Sequence, residues 1–224
     1  SPSLEILLAQ MGAGDEGWDA VVTSGDATHA VLRAMAPGPA YKLGPDWDDP
    51  LYEDTGLDFA PLEEARFISC TGLIDYEREG VEDYRDFLQE AKLRGLPMVC
   101  ANPDKLVQVG DRLLPCGGAL AEAYEALGGE TIYAGKPHPP IYDLARERLE
   151  AADKGPIARD RILAIGDGPE TDIAGANREG VDALFVTAGI LSGDFVHGFD
   201  PRAIEQALEG RGVFAAFAAP ELAW

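Results

Sequence analysis

Apolar segments with strand-like composition alternate with amphipathic segments along nearly the whole chain, and this alternation constrains the fold more than any other feature. The segments ARFISCTG and LPMVCANPD have the composition of buried strands, and GVEDYRDFLQEAKLRG between them has the spacing of an amphipathic helix. Strands that alternate with helices form a parallel sheet with helices packed on its faces. The sequence therefore predicts an α/β fold.

The same pattern assigns an element to most of the chain. Strands are predicted within 18–28, 40–45, 65–72, 96–104, 131–138, 160–168 and 181–190, with a hairpin across Gly110-Asp111. Helices are predicted within 80–95, 118–129, 139–151 and 201–210, and a further helix begins near Thr171. Because ligands bind at the carboxyl ends of parallel strands, the polar residues that follow these strands are the candidate site residues.

Two aspartates follow the strand predicted at 160–168, in the segment AIGDGPETDIAGA. Asp167 projects from the strand end and Asp172 lies near the start of the next helix, so both carboxylates are expected at one edge of the sheet. Grouped carboxylates suit a hard cation such as Mg²⁺, which prefers oxygen ligands. Thr171 is a candidate cap for the helix. Turn and capping roles for the two aspartates explain their spacing equally well.

Three other strand ends carry polar residues. Lys136 follows an apolar strand, where its ammonium group could neutralise a phosphate, although a solvated lysine is the commoner case. Asn102 and Asp104 are candidate contacts for the polar groups of a substrate, or parts of an Asx turn. The segment TSGDAT offers hydroxyls and a carboxylate that suit either phosphate contact or helix capping.

The chain is strongly acidic, with a net charge of -22 over 224 residues. Such a charge repels nucleic acid and anionic membranes, so neither is an expected partner. No apolar run approaches the roughly 18 residues of a membrane span. Cys70 and Cys100 each stand in an apolar run, which indicates buried reduced thiols in a cytoplasmic protein. A phosphorylated ligand would need a local metal ion or lysine to offset the overall charge.

Taken in order, the segments VVTSGDAT, VCANPD, AGKPHPPIYDLA, AIGDGPETDIAGA and ALFVTAGI resemble the haloacid dehalogenase-like (HAD) superfamily, class IIA, the NagD-like branch of Mg²⁺-dependent phosphatases. The resemblance covers nearly the whole chain, and the last two segments are the most diagnostic. It implies an HAD Rossmann-like parallel sheet core at residues 1–39 and 131–224, with an inserted α/β cap domain of the C2 type at 40–130. It also implies a homodimer formed through the cap.

The resemblance implies a role for each candidate residue. Lys136 would be the catalytic lysine that holds the phosphoryl group and the nucleophile. Asp167 would be a metal ligand with Asp172 as its acidic companion, so the implied cofactor is Mg²⁺. Asn102 and Asp104 would lie in the cap loop that approaches the leaving group of a small phosphorylated metabolite.

Phosphatases of this superfamily use an aspartate nucleophile in a DxDxT-type motif, and no such motif occurs in these 224 residues. Thr23-Ser24 is interpreted as the end of a later core strand. The first two core strands, with the nucleophile, are therefore expected upstream of Ser1. The 224 residues alone are then expected to be neither a stable monomer nor an active enzyme.

Two functions from different classes remain open. The first is Mg²⁺-dependent hydrolysis of a phosphomonoester through an aspartyl-phosphate intermediate whose nucleophile lies outside this chain. The alternative is a non-catalytic protein on a degenerate HAD scaffold that binds a phosphate ligand or a partner. A generic nucleotide-binding domain is disfavoured, because no GxGxxG follows a first strand and no GxxxxGK[ST] occurs.

Overall fold

The computed structural model describes residues 6, 9–10, 12, 17–109, 112–153, 155–195 and 198–222. The chain divides into two compact units, the first built mainly from Val21–Gly135 and the second from Trp18–Ala20 with Lys136–Trp224. The boundary at Gly135 lies near the predicted end of the insertion, whereas residues 21–39 group with the insertion. Which unit serves as the core and which as the cap stays a prediction.

In the first unit, the helices and strands after residue 40 follow the predicted order, whereas the helix at Ser24–Ala34 was not predicted. The helices are α1 (Ser24–Ala34), α2 (Arg85–Leu93) and α3 (Gly117–Ala126), with 3₁₀ turns at Asp46–Tyr52 and Val81–Tyr84. The strands are β1 (Ala40–Leu43), β2 (Phe67–Cys70), β3 (Met98–Cys100), β4 (Leu106–Val109), β5 (Arg112–Pro115) and β6 (Thr131–Tyr133). Strands β4 and β5 pair antiparallel as the predicted hairpin, and its turn at 110–111 lies outside the described residues.

Four of these strands form a parallel sheet in the order β1-β2-β3-β6. Leu43 is in register with Cys70, and Cys70 is in register with Cys100, so the first three strands end at the same level. Every residue of β2 and β3 is buried. Complete burial is expected for parallel strands that carry helices on both faces.

Adjacent residues of β2 pack into different apolar clusters. Ile68 packs with Leu88 of α2 and Leu120 of α3. Its neighbour Phe67 packs with Leu32 of α1, because successive side chains of a strand point to opposite faces. The apolar run FISC is therefore uninterrupted because both faces of the strand are covered.

Helix α2 ends close to the predicted position. Gly95 adopts the left-handed conformation with φ +69°, which a residue without a Cβ reaches at no steric cost. The Leu96 N–H then donates to the Ala91 carbonyl oxygen at 3.2 Å. These features are typical of a glycine that terminates a helix.

The second unit contains a smaller parallel sheet in the order β7-β8-β9. Its strands are β7 (Leu163–Gly166), β8 (Asp182–Val186) and β9 (Phe217–Ala219). Its helices are α4 (Pro139–Asp153), α5 (Ala174–Glu179) and α6 (Pro201–Glu209), with 3₁₀ turns at Arg159–Arg161 and Ser192–Phe195 and a π-helical turn at Pro169–Ile173. The apolar core of this unit packs Phe185 of β8 against Ile204 and Leu208 of α6.

The prediction of a strand within residues 18–28 is wrong. Residues 18–23 are all described and form no strand, and α1 begins at Ser24. Val21 and Val22 supply strand propensity, but a strand also needs a hydrogen-bonded neighbour, and no described strand pairs with this segment. The polar residues after Val22 begin a helix instead.

The cysteines behave as the sequence predicts. Cys70, Cys100 and Cys116 are buried thiols that form no disulfide. Burial is the main cause that raises the pKa of Cys100 to about 12 and the pKa of Cys70 well above its usual value. Both thiols therefore stay protonated at neutral pH. Among the described helices, none combines the length and the apolar character needed to cross a membrane.

Candidate metal and phosphate site

The end of β7 positions Asp167. The strand ends at Gly166, and the half-buried Asp167 follows directly. Its Oδ2 accepts a hydrogen bond from the Ile190 backbone N–H at 2.9 Å, which joins it to the loop after β8. Gly189 lies so close that a Cβ at that position would overlap the Asp167 carboxylate. The approach of this loop to Asp167 therefore depends on a glycine at position 189.

Asp172 lies in the π-helical turn Pro169–Ile173, and both of its carboxylate oxygens are engaged. Oδ2 accepts a hydrogen bond from the Gly168 N–H at 3.0 Å. Oδ1 accepts one from Lys136 Nζ at 2.5 Å. A Cβ on Gly166 would overlap the Asp172 side chain, so the close approach of this carboxylate to the strand end requires glycine there.

Lys136 and Asp172 form an ion pair between residues that are 36 positions apart in the sequence. The Asp172 side chain is 13% exposed, whereas the Lys136 side chain is 49% exposed. An ammonium group has three N–H donors, and the contact with Asp172 occupies one of them. The exposed part of Lys136 can therefore donate to an anion while Asp172 holds the side chain in place.

Asp172, rather than Thr171, anchors the turn before α5. The Asp172 carboxylate accepts a hydrogen bond from the N–H of Gly168, four residues earlier in the chain. Neither the π-helical turn nor α5 has a side-chain cap. The prediction that Thr171 caps this helix is therefore wrong, because Thr171 lies within the turn and not before it.

Tyr142 of α4 was not identified from the sequence. Its hydroxyl lies 3.5 Å from the Thr171 carbonyl oxygen, to which it donates, and its ring packs closely against Gly175. Burial raises the pKa of Tyr142 to about 12, and the negative charges of Asp172 and Glu179 contribute. The phenol therefore stays protonated and supports the turn that carries Asp172. The available signal was an aromatic residue in the first turn of the helix after GKPHPP.

The carboxylates differ in what they can offer a hard divalent cation. Asp167 has one oxygen that the Ile190 N–H does not occupy, whereas both oxygens of Asp172 accept hydrogen bonds within the protein. Mg²⁺ in proteins is bound through one or two carboxylates while it keeps several waters. Among the residues that the structure describes, no three His, Cys, Asp or Glu side chains are grouped so that they could enclose a metal ion. The metal-binding role of Asp167 and Asp172 stays a prediction.

Asn102 and Asp104 lie in the first unit, after the end of β3. Both line a cavity of about 780 Å³. Asn102 Oδ1 also accepts a hydrogen bond from the Asp104 N–H at 3.2 Å, which is the arrangement of an Asx turn. Of the two interpretations left open by the sequence, an Asx turn and a contact with substrate, the structure shows the turn. Their contact with a substrate stays a prediction.

The polar groups of TSGDAT cap helix α1. Thr23 Oγ1 accepts from the Asp26 N–H at 3.0 Å, and Asp26 Oδ2 accepts from the Thr23 N–H at 2.9 Å. This reciprocal pair is a capping box. Thr28 Oγ1 donates to the Ser24 carbonyl oxygen at 2.8 Å. The capping interpretation is confirmed, and it accounts for these groups without a phosphate.

Residues 133–208 match the family model described as HAD-hydrolase-like. The crystal structure of a hydrolase of the haloacid dehalogenase-like family from Brucella suis 1330 is similar to this chain with a TM-score of 0.75 and 36% sequence identity. The match covers 99% of this chain and 79% of that chain. It confirms the predicted α/β class, with a Rossmann-like parallel core and a cap.

Two curated relatives are phosphatases. The D-glycerol 3-phosphate phosphatase of Mycobacterium tuberculosis is 29% identical over 189 residues, which are 83% of this chain and 50% of the relative. The acid sugar phosphatase of Staphylococcus aureus is 29% identical over 177 residues, which are 76% of this chain and 62% of the relative. The chain thus spans less than two thirds of the length of either protein.

Proposed function

Because the chain belongs to the haloacid dehalogenase-like family of hydrolases, we propose that it hydrolyses a small phosphomonoester with Mg²⁺ as its cofactor. The names of the two curated relatives support this substrate class, since one is a D-glycerol 3-phosphate phosphatase and the other an acid sugar phosphatase. A cytoplasmic location and a homodimer through the insertion at 40–130 stay predictions from the sequence.

The observation that carries the proposal is the ion pair between Lys136 and Asp172, in the unit where Asp167 directly follows β7. A chain with a net charge of -22 repels a phosphate unless positive charge is placed locally. Lys136 supplies such a charge, and its partner Asp172 restricts its position. Preorganised charge of this kind stabilises a transition state without reorganisation during the reaction.

The contacts of Asp172 and Asp167 suggest different roles for the two carboxylates. Asp172 uses both oxygens to hold Lys136 and the Gly168 N–H, so its role is to position the lysine. Asp167 is held through one oxygen by the Ile190 N–H, which leaves its other oxygen as the better candidate for a metal ligand. Bound Mg²⁺ would stabilise the negative charge of the phosphoryl group during its transfer.

In the proposed reaction, a carboxylate nucleophile forms a bond to phosphorus as the bond to the alcohol oxygen breaks, and the alcohol leaves with a proton. Water then attacks the aspartyl-phosphate and releases inorganic phosphate, which restores the carboxylate. Lys136 donates to the phosphoryl oxygens in both steps. The expectation that the nucleophile lies upstream of Ser1 stays a prediction.

The test is a phosphomonoesterase assay of the natural protein at its full length, with Mg²⁺ and with D-glycerol 3-phosphate or a sugar phosphate as substrate. We expect Lys136→Ala and Asp167→Asn each to lower kcat/KM by about 100-fold or more, because each removes charge stabilisation from the transition state. The matched controls are Lys92→Ala and Asp160→Asn, which change exposed residues of the same types.

Near-normal turnover in both Lys136→Ala and Asp167→Asn would overturn the assignment of the site. Binding of inorganic phosphate without any turnover by the full-length protein would instead favour the non-catalytic alternative, a ligand-binding protein on the same scaffold. Unchanged rates in the control variants would show that the losses come from the site and not from the overall charge.

A further inference from the structure

Most of the carboxylate oxygens at the end of β7 are already occupied by donors of the protein itself. On Asp167, Oδ2 accepts a hydrogen bond from the Ile190 N–H at 2.9 Å. On Asp172, Oδ2 accepts from the Gly168 N–H at 3.0 Å and Oδ1 accepts from Lys136 Nζ at 2.5 Å. Among the described contacts, only one oxygen of Asp167 therefore stays available to a cation.

Lys136 differs from the other two donors. Ile190 and Gly168 donate through backbone N–H groups, which a change of side chain leaves in place. Lys136 donates through a side chain that is 49% exposed and carries a positive charge. Its charge repels a cation nearby, and its contact occupies an oxygen that a cation could use. Lys136 is thus the group whose removal frees a carboxylate oxygen.

Asp172 lies where it can act together with Asp167. Gly166 is the last residue of β7 and directly precedes Asp167, and a Cβ on Gly166 would overlap the Asp172 carboxylate. The Asp172 carboxylate therefore lies directly against the strand end. Nowhere in the described ranges do three His, Cys, Asp or Glu side chains form a group that could hold a metal ion. Since Mg²⁺ is bound through one or two carboxylates, the availability of Asp172 decides between one and two.

The ion pair and a metal ion compete for the same oxygen. The Asp172 side chain is 13% exposed, so water compensates little for the loss of a partner. In the protein without metal, Lys136 provides that partner at Oδ1. A cation that binds to Asp172 Oδ1 must replace the lysine, which lowers the net gain from the new contact.

From these contacts we propose that Lys136 limits the affinity of the site for Mg²⁺, because its ion pair withholds Asp172 from the metal. This inference rests on the proposed function, in which Mg²⁺ binds at the end of β7. Lys136 then has two opposed effects, since it attracts the phosphoryl group of the substrate and weakens the binding of the metal. Asp167 is the carboxylate ligand in the natural protein, and Asp172 becomes a second ligand when the lysine is absent.

The test measures Mg²⁺ binding by isothermal titration calorimetry, without substrate, in the natural full-length protein and in Lys136→Met. Methionine is also unbranched but has no charge and no N–H donor. We expect Lys136→Met to bind Mg²⁺ about fivefold or more tightly, because a second carboxylate becomes available and a positive charge is removed. Damage to the fold would weaken binding, so it cannot produce this gain. Equal or weaker binding in Lys136→Met, with binding in the natural protein, would overturn the proposal.

Two further variants separate the release of Asp172 from the mere loss of a positive charge. Asp172→Asn in the Lys136→Met background should remove the gain, because the second carboxylate is lost. Arg178→Met removes a positive charge from an exposed position of α5 in the same unit. It should leave the Mg²⁺ affinity within about twofold, because exposed charges are screened by salt. A gain that survives Asp172→Asn, or an equal gain in Arg178→Met, would contradict the proposal.

Thermal unfolding gives an independent measurement. Without Mg²⁺, Lys136→Met should unfold at a lower temperature than the natural protein, because Asp172 loses its partner. Addition of the same concentration of Mg²⁺ should raise the temperature of unfolding more in Lys136→Met, because a ligand stabilises the protein that binds it more tightly. An equal rise in both proteins would count against the proposal.

Failure of this inference can be told apart from failure of the proposed function. If the natural protein binds Mg²⁺ and hydrolyses the substrate while Lys136→Met binds Mg²⁺ no more tightly, only this inference is overturned. If neither protein binds Mg²⁺, the assignment of the metal site is wrong and this inference falls with it.

Discussion

The two parallel sheets of this protein have similar apolar sequences but different burial. In the first unit, Ile68 of β2 is fully buried, as is every residue of that strand. In the second unit, Leu163 and Ile165 of β7 are 46% and 50% exposed. The difference teaches that an apolar run such as LAIG predicts a strand but not how completely its faces are covered.

The carboxyl ends of the two sheets also differ in chemistry. After β7, Asp167 and Asp172 lie with a lysine that contacts Asp172. After β2 and β3, Asp48, Glu77 and Asp104 line a cavity with Trp47 and Tyr76, and none of the described residues that line it is cationic. Equivalent positions in the two sheets therefore differ in whether a cationic side chain lies beside the carboxylates.

The largest expected effect tests the difference in burial. Ile68→Ala should lower the free energy of unfolding by about 2–5 kcal/mol, because it leaves a cavity in a fully buried core. Ile165→Ala should cost about 1 kcal/mol or less, because half of the side chain already contacts solvent. Urea unfolding followed by circular dichroism measures both. Equal costs would show that β7 is covered as completely as β2.

The next largest effect tests how closely Asp172 packs against Gly166 at the carboxyl end of β7. Gly166→Ala should destabilise the protein by about 1–3 kcal/mol, because the new methyl group overlaps the Asp172 side chain. The matched control is Gly155→Ala, since a Cβ at position 155 meets no atom within 4 Å. The temperature of unfolding should fall for Gly166→Ala and not for Gly155→Ala. An equal fall in both would contradict the close packing of Asp172 on Gly166.

A smaller effect concerns alkaline pH. Burial raises the pKa of Tyr52 in the first unit to about 12, from an ordinary value of 10.0. The unfolded chain loses this proton first, so the stabilisation is complete below pH 10 and is lost as the pH rises toward 12. We expect the free energy of unfolding to fall by about 1–2 kcal/mol over that interval.

Tyr52→Phe should make this decline shallower, because phenylalanine has no proton to lose. The Tyr52 hydroxyl lies 3.1 Å from Ser69 Oγ, so the variant should also be somewhat less stable at neutral pH. The informative quantity is therefore the slope with pH, measured from urea midpoints. A slope identical to that of the natural protein would rule out Tyr52 as a source of the decline.

Much of the fold could be predicted because local composition and element type agree. The structure has strands where the apolar runs at β2, β3 and β7 predicted them. Helix α2 ends close to the glycine that was predicted to terminate it. The strand expected at Val21–Val22 failed, because pairing with a neighbouring strand is a property of the whole fold and not of two valines.

The geometry of the candidate site was predictable only in part. Lys136 and Asp167 could be identified as candidates because each follows a predicted strand, and parallel sheets bind ligands at the carboxyl ends of their strands. The direct contact between Lys136 and Asp172, which are 36 residues apart, follows from tertiary packing that no local pattern contains. The same holds for Gly189, whose proximity to Asp167 arises where the loop after β8 meets the end of β7.

The measurement that tests the central claim most directly is a calorimetric titration of the full-length protein with Mg²⁺, without substrate. We predict one binding site whose affinity falls by about tenfold or more in Asp167→Asn, because the variant loses a charged oxygen ligand. The matched variant Asp160→Asn should bind Mg²⁺ like the natural protein. Equal Mg²⁺ affinity in Asp167→Asn and in the natural protein would contradict the assignment of the metal site to the end of β7.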